Sequence, residues 1–167
     1  MHAINPEIEA LQKKSLEILV FFKEFCDKHN LLFYFCGGCC IGTLRHQGFI
    51  PWDDDIDVFM PRNDYEKLCR LWKREVPADQ YILCRADENH FIRSQLTAIV
   101  DPHTTFIKEN QKDLDIPHGI RLEVCLWMDV RIPGSKEKSR FSGAWFIRYS
   151  VCRIRLPARE KYRNYWE

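Results

Sequence analysis

No uncharged run in these 167 residues is long enough to span a bilayer. The longest, Asn30 to Leu44, covers 15 residues and is interrupted by Gly37 and Gly38, short of the roughly 20 that a spanning helix needs. The opening Met1-His2-Ala3-Ile4-Asn5-Pro6 lacks a basic segment followed by an apolar one, the form of a secretory signal. Repeats and low-complexity stretches are absent as well. These absences argue against a membrane or exported protein and lead us to expect a soluble, cytoplasmic chain. The length suits one domain, and a hydrophobic content of 46% is enough to build a core. A second ligand pair for zinc is also missing. Cys36, Cys39 and Cys40 form C-x-x-C-C, but Cys69, Cys84, Cys125 and Cys152 are scattered singly, so neither zinc nor a redox motif is indicated. In a reducing compartment the eight cysteines are expected to be free, mostly buried thiols.

Charge is nearly balanced overall, at +1, but it is segregated. Residues 131–167 hold ten Lys and Arg against three acids, leaving fifteen against twenty-one in residues 1–130. The basic end interleaves Trp145, Phe146, Tyr149, Tyr162, Tyr165 and Trp166. It reads either as a helix with a solvated basic face or as a peripheral contact for phosphates, an anionic polymer or the inner face of a membrane. Nucleic acid is not an expected partner, since no reading motif is present and the acidic front would repel a phosphate backbone.

What the chain does contain is W-D-D-D-I-D-V from Trp52 to Val58. If Asp53 to Met60 is a strand, Asp53, Asp55 and Asp57 share one face at i, i+2 spacing, roughly 6.5 to 7 Å apart. Three such carboxylates raise one another's pKa and destabilise the strand unless a cation sits among them. Oxygen-only ligands select a hard ion, Mg²⁺ or Mn²⁺, over zinc. The alternative is a solvated acidic loop. Ile56, Val58, Phe59 and Met60 weigh against it, because they continue directly into an apolar run.

Periodicity organises the remainder. Apolar positions Ile8, Leu11, Ile18, Leu19, Phe22, Phe25 and Cys26 predict an amphipathic helix over 7–29 behind Pro6. Leu31 to Cys36 reads as a short buried strand and Cys39 to His46 as a short helix. Backbone N–H groups following Gly37-Gly38 would then form an anion seat. Asn63 with Glu66 has the form of a capping box opening a helix to about Glu75. Tyr81 to Cys84, Phe91 to Val100, Thr104 to Lys108 and Ile120 to Leu126 are expected as strands. Pro133-Gly134 breaks the chain, and 136–155 reads as a basic helix, with Pro157 ending or kinking it. The final residues show no helix stop, as in a chain that continues. Within Ile120 to Leu126 stands Glu123, an acid among apolar neighbours where an unpartnered charge is costly. It is either paired with a buried arginine or set at an edge, or it is a third carboxylate brought beside Asp55 and Asp57 by strand pairing.

The run Y-F-C-G-G-C-C-I-G-T-L-R-H-Q-G-F-I-P-W-D-D-D-I-D-V-F-M-P-R-N-D-Y-E-K, Tyr34 to Lys67, resembles the LicD and fukutin family of nucleotidyltransferase-fold phosphotransferases. Weaker agreement continues through D-P-H-T-T-F at Asp101 to Phe106 and H-G-I-R-L-E at His118 to Glu123. The resemblance implies an α/β (α+β) fold: a nucleotidyltransferase-like mixed sheet flanked by helices over residues 7–130, followed by a basic, helical C-terminal extension over 131–167. It also implies that Gly37 and Gly38 seat nucleotide phosphate with Arg45 and His46 nearby. Asp55 and Asp57 are then the metal pair, Asp53 is a supporting acid, and Glu123 stands where relatives have Asp. The implied activity is Mg²⁺- or Mn²⁺-dependent transfer of phosphocholine, or a similar phospho-alcohol, from CDP-choline or a related CDP-alcohol to a glycan acceptor. Two departures stand out. Cys39 replaces a small hydroxyl residue, and Thr97-Ala98-Ile99-Val100-Asp101 lacks the Lys and Arg of the pattern A-K-I-R-D. Arg93, Lys108 and Arg121 are the cations that could compensate. A non-catalytic or truncated nucleotide- and metal-binding relative is the alternative.

Overall fold

The computed structural model describes residues 5–85, 97–109, 112–113, 115–127, 130–131 and 138–139. Helix α1 (Pro6–His29) forms as its periodicity predicts. The Asn5 side chain accepts a hydrogen bond from the Glu7 N–H, Pro6 opens the first turn, and left-handed Asn30 (φ 52°) ends the helix. These are the expected start and stop devices. The buried stripe of α1 runs Gln12, Ser15, Ile18, Leu19, Phe22, Phe25, Cys26, so its first two positions are polar, a point that matters for the site.

Five strands build the main sheet: β1 (Tyr34–Phe35), β2 (Asp57–Pro61), β3 (Ile82–Cys84), β4 (Thr97–Val100) and β5 (Arg121–Trp127), in the order β1-β2-β5-β4-β3. Among the described residues, only the β2–β5 pair of this sheet is parallel. The sheet is therefore mixed, as expected. Alternation divides its side chains between two faces. Val58, Met60, Ile99, Leu122 and Val124 face the core, where they meet Ile18 and Phe22 of α1 and Leu68 and Trp72 of α3 (Arg62–Glu75). Asp57, Phe59, Glu123 and Cys125 alternate with those residues and face away.

Several expected elements differ in the structure. Strand β2 begins at Asp57, and 53–56 is non-strand. The acidic run is thus a loop that continues straight into a buried strand. Helix α3 begins at Arg62 against Pro61 with no side-chain cap. Because β2 runs into α3 without a connecting loop, Asn63 already lies inside the helix and the capping box does not form. Glu66 pairs instead with Arg85 through two contacts of 3.2 Å. Residues 104–108 are not a strand, because side chains take over the pairing. Thr104 Oγ1 accepts the Ile120 N–H at 2.9 Å, and one backbone bond joins Phe106 N–H to the His118 carbonyl at 2.8 Å. Lys138–Ser139, expected in a helix, form strand β7 against β6 (Val130–Arg131). Their backbone groups bond across that ladder, which a helical i to i−4 pattern would preclude. The rest of the expected basic helix, and residues 91–96 of the expected fourth strand, lie outside the described residues. Among the described cysteines, Cys26, Cys36, Cys39, Cys69, Cys84 and Cys125 are free as expected, whereas Cys40 is disulfide-bonded.

Helix α2 (Gly37–Arg45) begins at the glycine pair, two residues earlier than predicted. The chain then turns back along it. A Cβ added at Gly42 would lie 2.5 Å from the Gly48 carbonyl oxygen and 3.0 Å from the Ile50 nitrogen, so the absence of a side chain lets the returning loop press against the helix. Gly48 itself faces open space. Gly42→Ala is expected to destabilise the fold by about 1–3 kcal/mol, the usual range for overpacking, while Gly48→Ala stays close to wild type. Urea unfolding of both variants tests this, and equal stabilities would show that the loop yields.

Candidate functional site

Helix α2, the loop that returns from it, the first residue of β2 and the middle of β5 meet on the outward face of the sheet. At the N-terminus of α2, Gly37 has φ +54°, and Cys36, the capping residue, makes no side-chain capping bond. The positive φ favours glycine strongly. Uncapped first-turn N–H groups carry partial positive charge and suit an anion. Gly38 abuts the acidic loop, since a Cβ there would sit 2.1 Å from Asp53 Oδ2.

The loop is held from the other side by Gln12. Its Nε2 donates to the Ile50 carbonyl at 3.0 Å and to the Asp53 carbonyl at 2.8 Å. Sequence reasoning missed this residue. The signal was a polar side chain on the buried stripe of α1, where Gln12 needs a partner to be tolerated. Between Gln12 and Gly38 the loop folds so that carboxylate oxygens of Asp53, Asp54 and Asp55 all lie within 4.8 Å of one another. Alternation along a strand would have sent Asp54 to the opposite side; the loop gathers it in.

Asp57 opens β2, and its parallel register partner on β5 is Glu123. Neighbouring strands stand ~4.8 Å apart, so these side chains lie abreast. Two like charges about 5 Å apart repel by on the order of 3 kcal/mol at an effective dielectric of about 20. Burial, then the charges of Asp55 and Glu123, push the Asp57 carboxyl up to about 7. Asp53 is also raised, first by burial and then by Asp55 and Asp54. The site is short of positive charge. Oxygen-only donors at this density fit a hard divalent ion.

Among the described residues, Lys108 offsets part of the deficit. Lys108 Nζ lies 3.5 Å from Asp55 Oδ2 and 3.5 Å from Glu123 Oε1. Burial opposes its charge, but Glu123, Asp55 and Asp54 outweigh that and raise its pKa. Of the three cations considered from sequence, Arg121 is buried on β5 two residues before Glu123, and Arg93 lies outside the described residues. Cys39 does not face outward as a phosphate donor. Its Sγ accepts the Asp57 N–H at 3.3 Å and lies 3.7 Å from the Asp55 carbonyl oxygen, and burial pushes the thiol up to about 12. It stays protonated and ties α2 to the acidic loop. Arg45 and His46 stand exposed at the other end of α2, about 12 Å along the helix from Gly37 at 1.5 Å per residue. The structure therefore brings Gly37, Gly38, Asp53, Asp55, Asp57 and Glu123 together and leaves Arg45 and His46 at a distance.

Residues 30–124 match the family described as LicD/FKTN/FKRP, nucleotidyltransferase domain. Over 60 residues, 36% of its length, the chain is 45% identical to the lipopolysaccharide cholinephosphotransferase LicD of Haemophilus influenzae, covering 23% of that protein. It is 36% identical over 56 residues to an uncharacterized protein of Rickettsia typhi, covering 18% of it. A Rickettsia prowazekii protein is likewise 36% identical over 55 residues, with 21% covered. The matches thus span about a quarter or less of the relatives' own lengths. No solved structure matches.

The raised Asp57 carboxyl makes stability depend on pH in a definite direction. Folded Asp57 holds its proton to about 7 against an ordinary value of 3.8, so between those values the folded state binds more protons than the unfolded one. Its contribution is complete below the lower value and is lost as pH rises through the upper. In chelator, the stability of wild type relative to Asp57→Asn is expected to decline between about pH 4 and pH 7. Urea midpoints of the two proteins across that range provide the check. A difference that does not change with pH would remove the assignment.

Proposed function

This chain belongs to the LicD/FKTN/FKRP nucleotidyltransferase-domain family, and from that membership we propose that it is a metal-dependent phosphotransferase. It moves phosphocholine, or a similar phospho-alcohol, from a CDP-linked donor to a sugar hydroxyl of a cell-surface glycan. The observation that carries the reading is the convergence of an uncapped, glycine-paired helix N-terminus with Asp53, Asp55, Asp57 and Glu123. An anion seat beside a dense oxygen cluster suits a diphosphate with its divalent ion. The activity printed for the Haemophilus relative supports the choice of chemistry.

Each residue has a part in that chemistry. Asp55 and Asp57, with Asp53 in support, would hold Mg²⁺ or Mn²⁺. The ion supplies charge neutralisation at the diphosphate, the main demand of phosphoryl transfer. First-turn N–H groups at Gly37 and Gly38 bind the phosphate of the departing CMP. The acceptor hydroxyl attacks the distal phosphorus, the bond from that phosphorus to the CMP oxygen breaks, and Glu123 takes the hydroxyl proton. No cysteine or serine nucleophile is needed. No helix among the described residues is long and apolar enough to cross a membrane. The basic residues of 131–167 are the segment we assign to contact with an anionic polymer or membrane surface.

A second reading rests on Ala98 and Val100, both buried and apolar on β4, where the family pattern carries cations. Without them the chain would be a nucleotide- and metal-binding module that does not turn over. The two readings part in one experiment. With Mg²⁺, CDP-choline and a glycan acceptor, the transferase reading expects CMP release, and Asp55→Asn or Asp57→Asn should lower it on the order of a hundredfold or more with an unchanged circular dichroism spectrum. Full turnover in both variants would overturn the metal assignment. Calorimetric binding of CDP-choline without turnover would favour the module.

A further inference from the structure

The acidic cleft is bridged by a cation that the chain itself supplies. Lys108 Nζ is equidistant, at 3.5 Å, from a carboxylate oxygen of Asp55 in the loop and one of Glu123 on β5. The two acids belong to different elements and are 68 positions apart in sequence. The lysine side chain is three-quarters covered, at 25% exposure, and that of Glu123 is 12% exposed. This pair is therefore more enclosed than the surface ion pairs that contribute little.

The lysine is delivered there by a braced turn. Asp101 Oδ1 accepts the His103 N–H at 2.8 Å, and the Thr104 hydroxyl donates to the Asp101 carbonyl at 3.0 Å while accepting from Ile120 N–H. Gly119 lets the two segments meet, since a Cβ there would lie 2.2 Å from the Asp101 carbonyl oxygen. Residues 101–108 thus lie along the approach to β5. On the far side of β5, the residue facing Glu123 is Ala98, and directly opposed residues share a face of the sheet. Ala98 brings only a methyl group beside Glu123. Across the row Asp57, Glu123, Ala98, Cys84, the sheet offers two acids and no base.

We propose that Lys108 is a built-in substitute for a second divalent cation: its ammonium fills the position between Asp55 and Glu123, so that the cleft binds a single metal ion, held by Asp55 and Asp57 with Asp53 in support. This deepens the metal-dependent reading above and rests on it. The gap between Asp55 and Glu123 is already occupied, since the ammonium stands 3.5 Å from an oxygen of each, and a divalent ion would have to displace it to bridge the same two oxygens. Two-metal phosphoryl-transfer sites place their ions about 3.5–4 Å apart and clamp both the attacking and the leaving oxygen. Here one of those charges is carried by a side chain. The lysine keeps Glu123 oriented and leaves it free of metal, as a proton acceptor for the incoming hydroxyl must be.

The number of tightly bound Mn²⁺ ions, measured by electron paramagnetic resonance of the free ion under equilibrium dialysis, tests this without reference to turnover. Wild type should bind one. Lys108→Ala, or Lys108→Ser if the first variant folds poorly, should bind two, and Lys108→Arg should return the count to one. Adding Glu123→Gln to Lys108→Ala should remove the second ion. Two ions in wild type, one ion in Lys108→Ala, or a second ion that survives Glu123→Gln would each overturn the proposal while leaving metal binding intact. No bound ion in wild type would overturn the metal reading itself, and this inference with it.

Discussion

Repulsion among carboxylates is the constraint to which the surrounding structure answers. Asp53, Asp54 and Asp55 crowd within 4.8 Å, and Asp57 lies abreast of Glu123 on a parallel strand. Such a cluster is unfavourable on its own account, most of all at Asp57, which is more enclosed than the loop aspartates. Three opposing features are visible: the positive end of α2, the ammonium of Lys108, and the proton that Asp57 keeps to about 7. Each is partial. A divalent ion would replace the proton and complete the neutralisation, which is why the deficit reads as a binding site rather than as a defect.

Holding the charges together requires segments that are far apart in the chain. Gln12 from the first helix clamps the loop through two backbone carbonyls. Gly42 admits the backbone of the returning chain, and Gly38 admits Asp53. Cys39 fastens α2 to Asp57. The parallel β2–β5 ladder sets Glu123 in register, and the Asp101–Thr104–Gly119 brace aims Lys108. The two weakly family-like segments, D-P-H-T-T-F and H-G-I-R-L-E, therefore pack on each other. Their common task is to place one acid and one base.

This division explains what the sequence could and could not reveal. Helices α1 and α3 were legible because their apolar spacing follows 3.6 residues per turn over three or more turns. Glu123 was legible because an acid inside an apolar strand requires a partner. The start of β2 was not, since four aspartates and a following apolar run have the same period whether residues 53–56 are strand or loop. Tertiary contacts from Gln12 and Gly38 decide the matter, and no local pattern encodes them. Thr104 to Lys108 misled in the same way: its composition suits a strand, but a threonine hydroxyl occupies the bond that a ladder would use. Asn63 and Glu66 met the form of a capping box, yet Pro61 ends β2 directly against α3. Lys108 could be named among three cations but not placed, because its partner Asp55 is 53 residues away.

On the metal reading, protonation and cation binding would be coupled at Asp57. A carboxyl ligates a metal only once deprotonated, so an ion taken up by Asp55 and Asp57 would also have to release the proton that burial and the neighbouring acids hold on Asp57. The affinity of the cleft for a divalent ion would consequently rise with pH through the range in which that proton is lost. Lys108 acts on the same balance from the opposite side. Its charge already neutralises part of Asp55 and Glu123, which eases proton loss from Asp57 but lowers the field that draws a second ion. On the proposed one-ion arrangement, charge that a two-ion site would take from solution would be divided between one exchangeable ion and one fixed side chain. Glu123 would then stand next to a cation yet outside the metal's coordination, where it could still accept a proton.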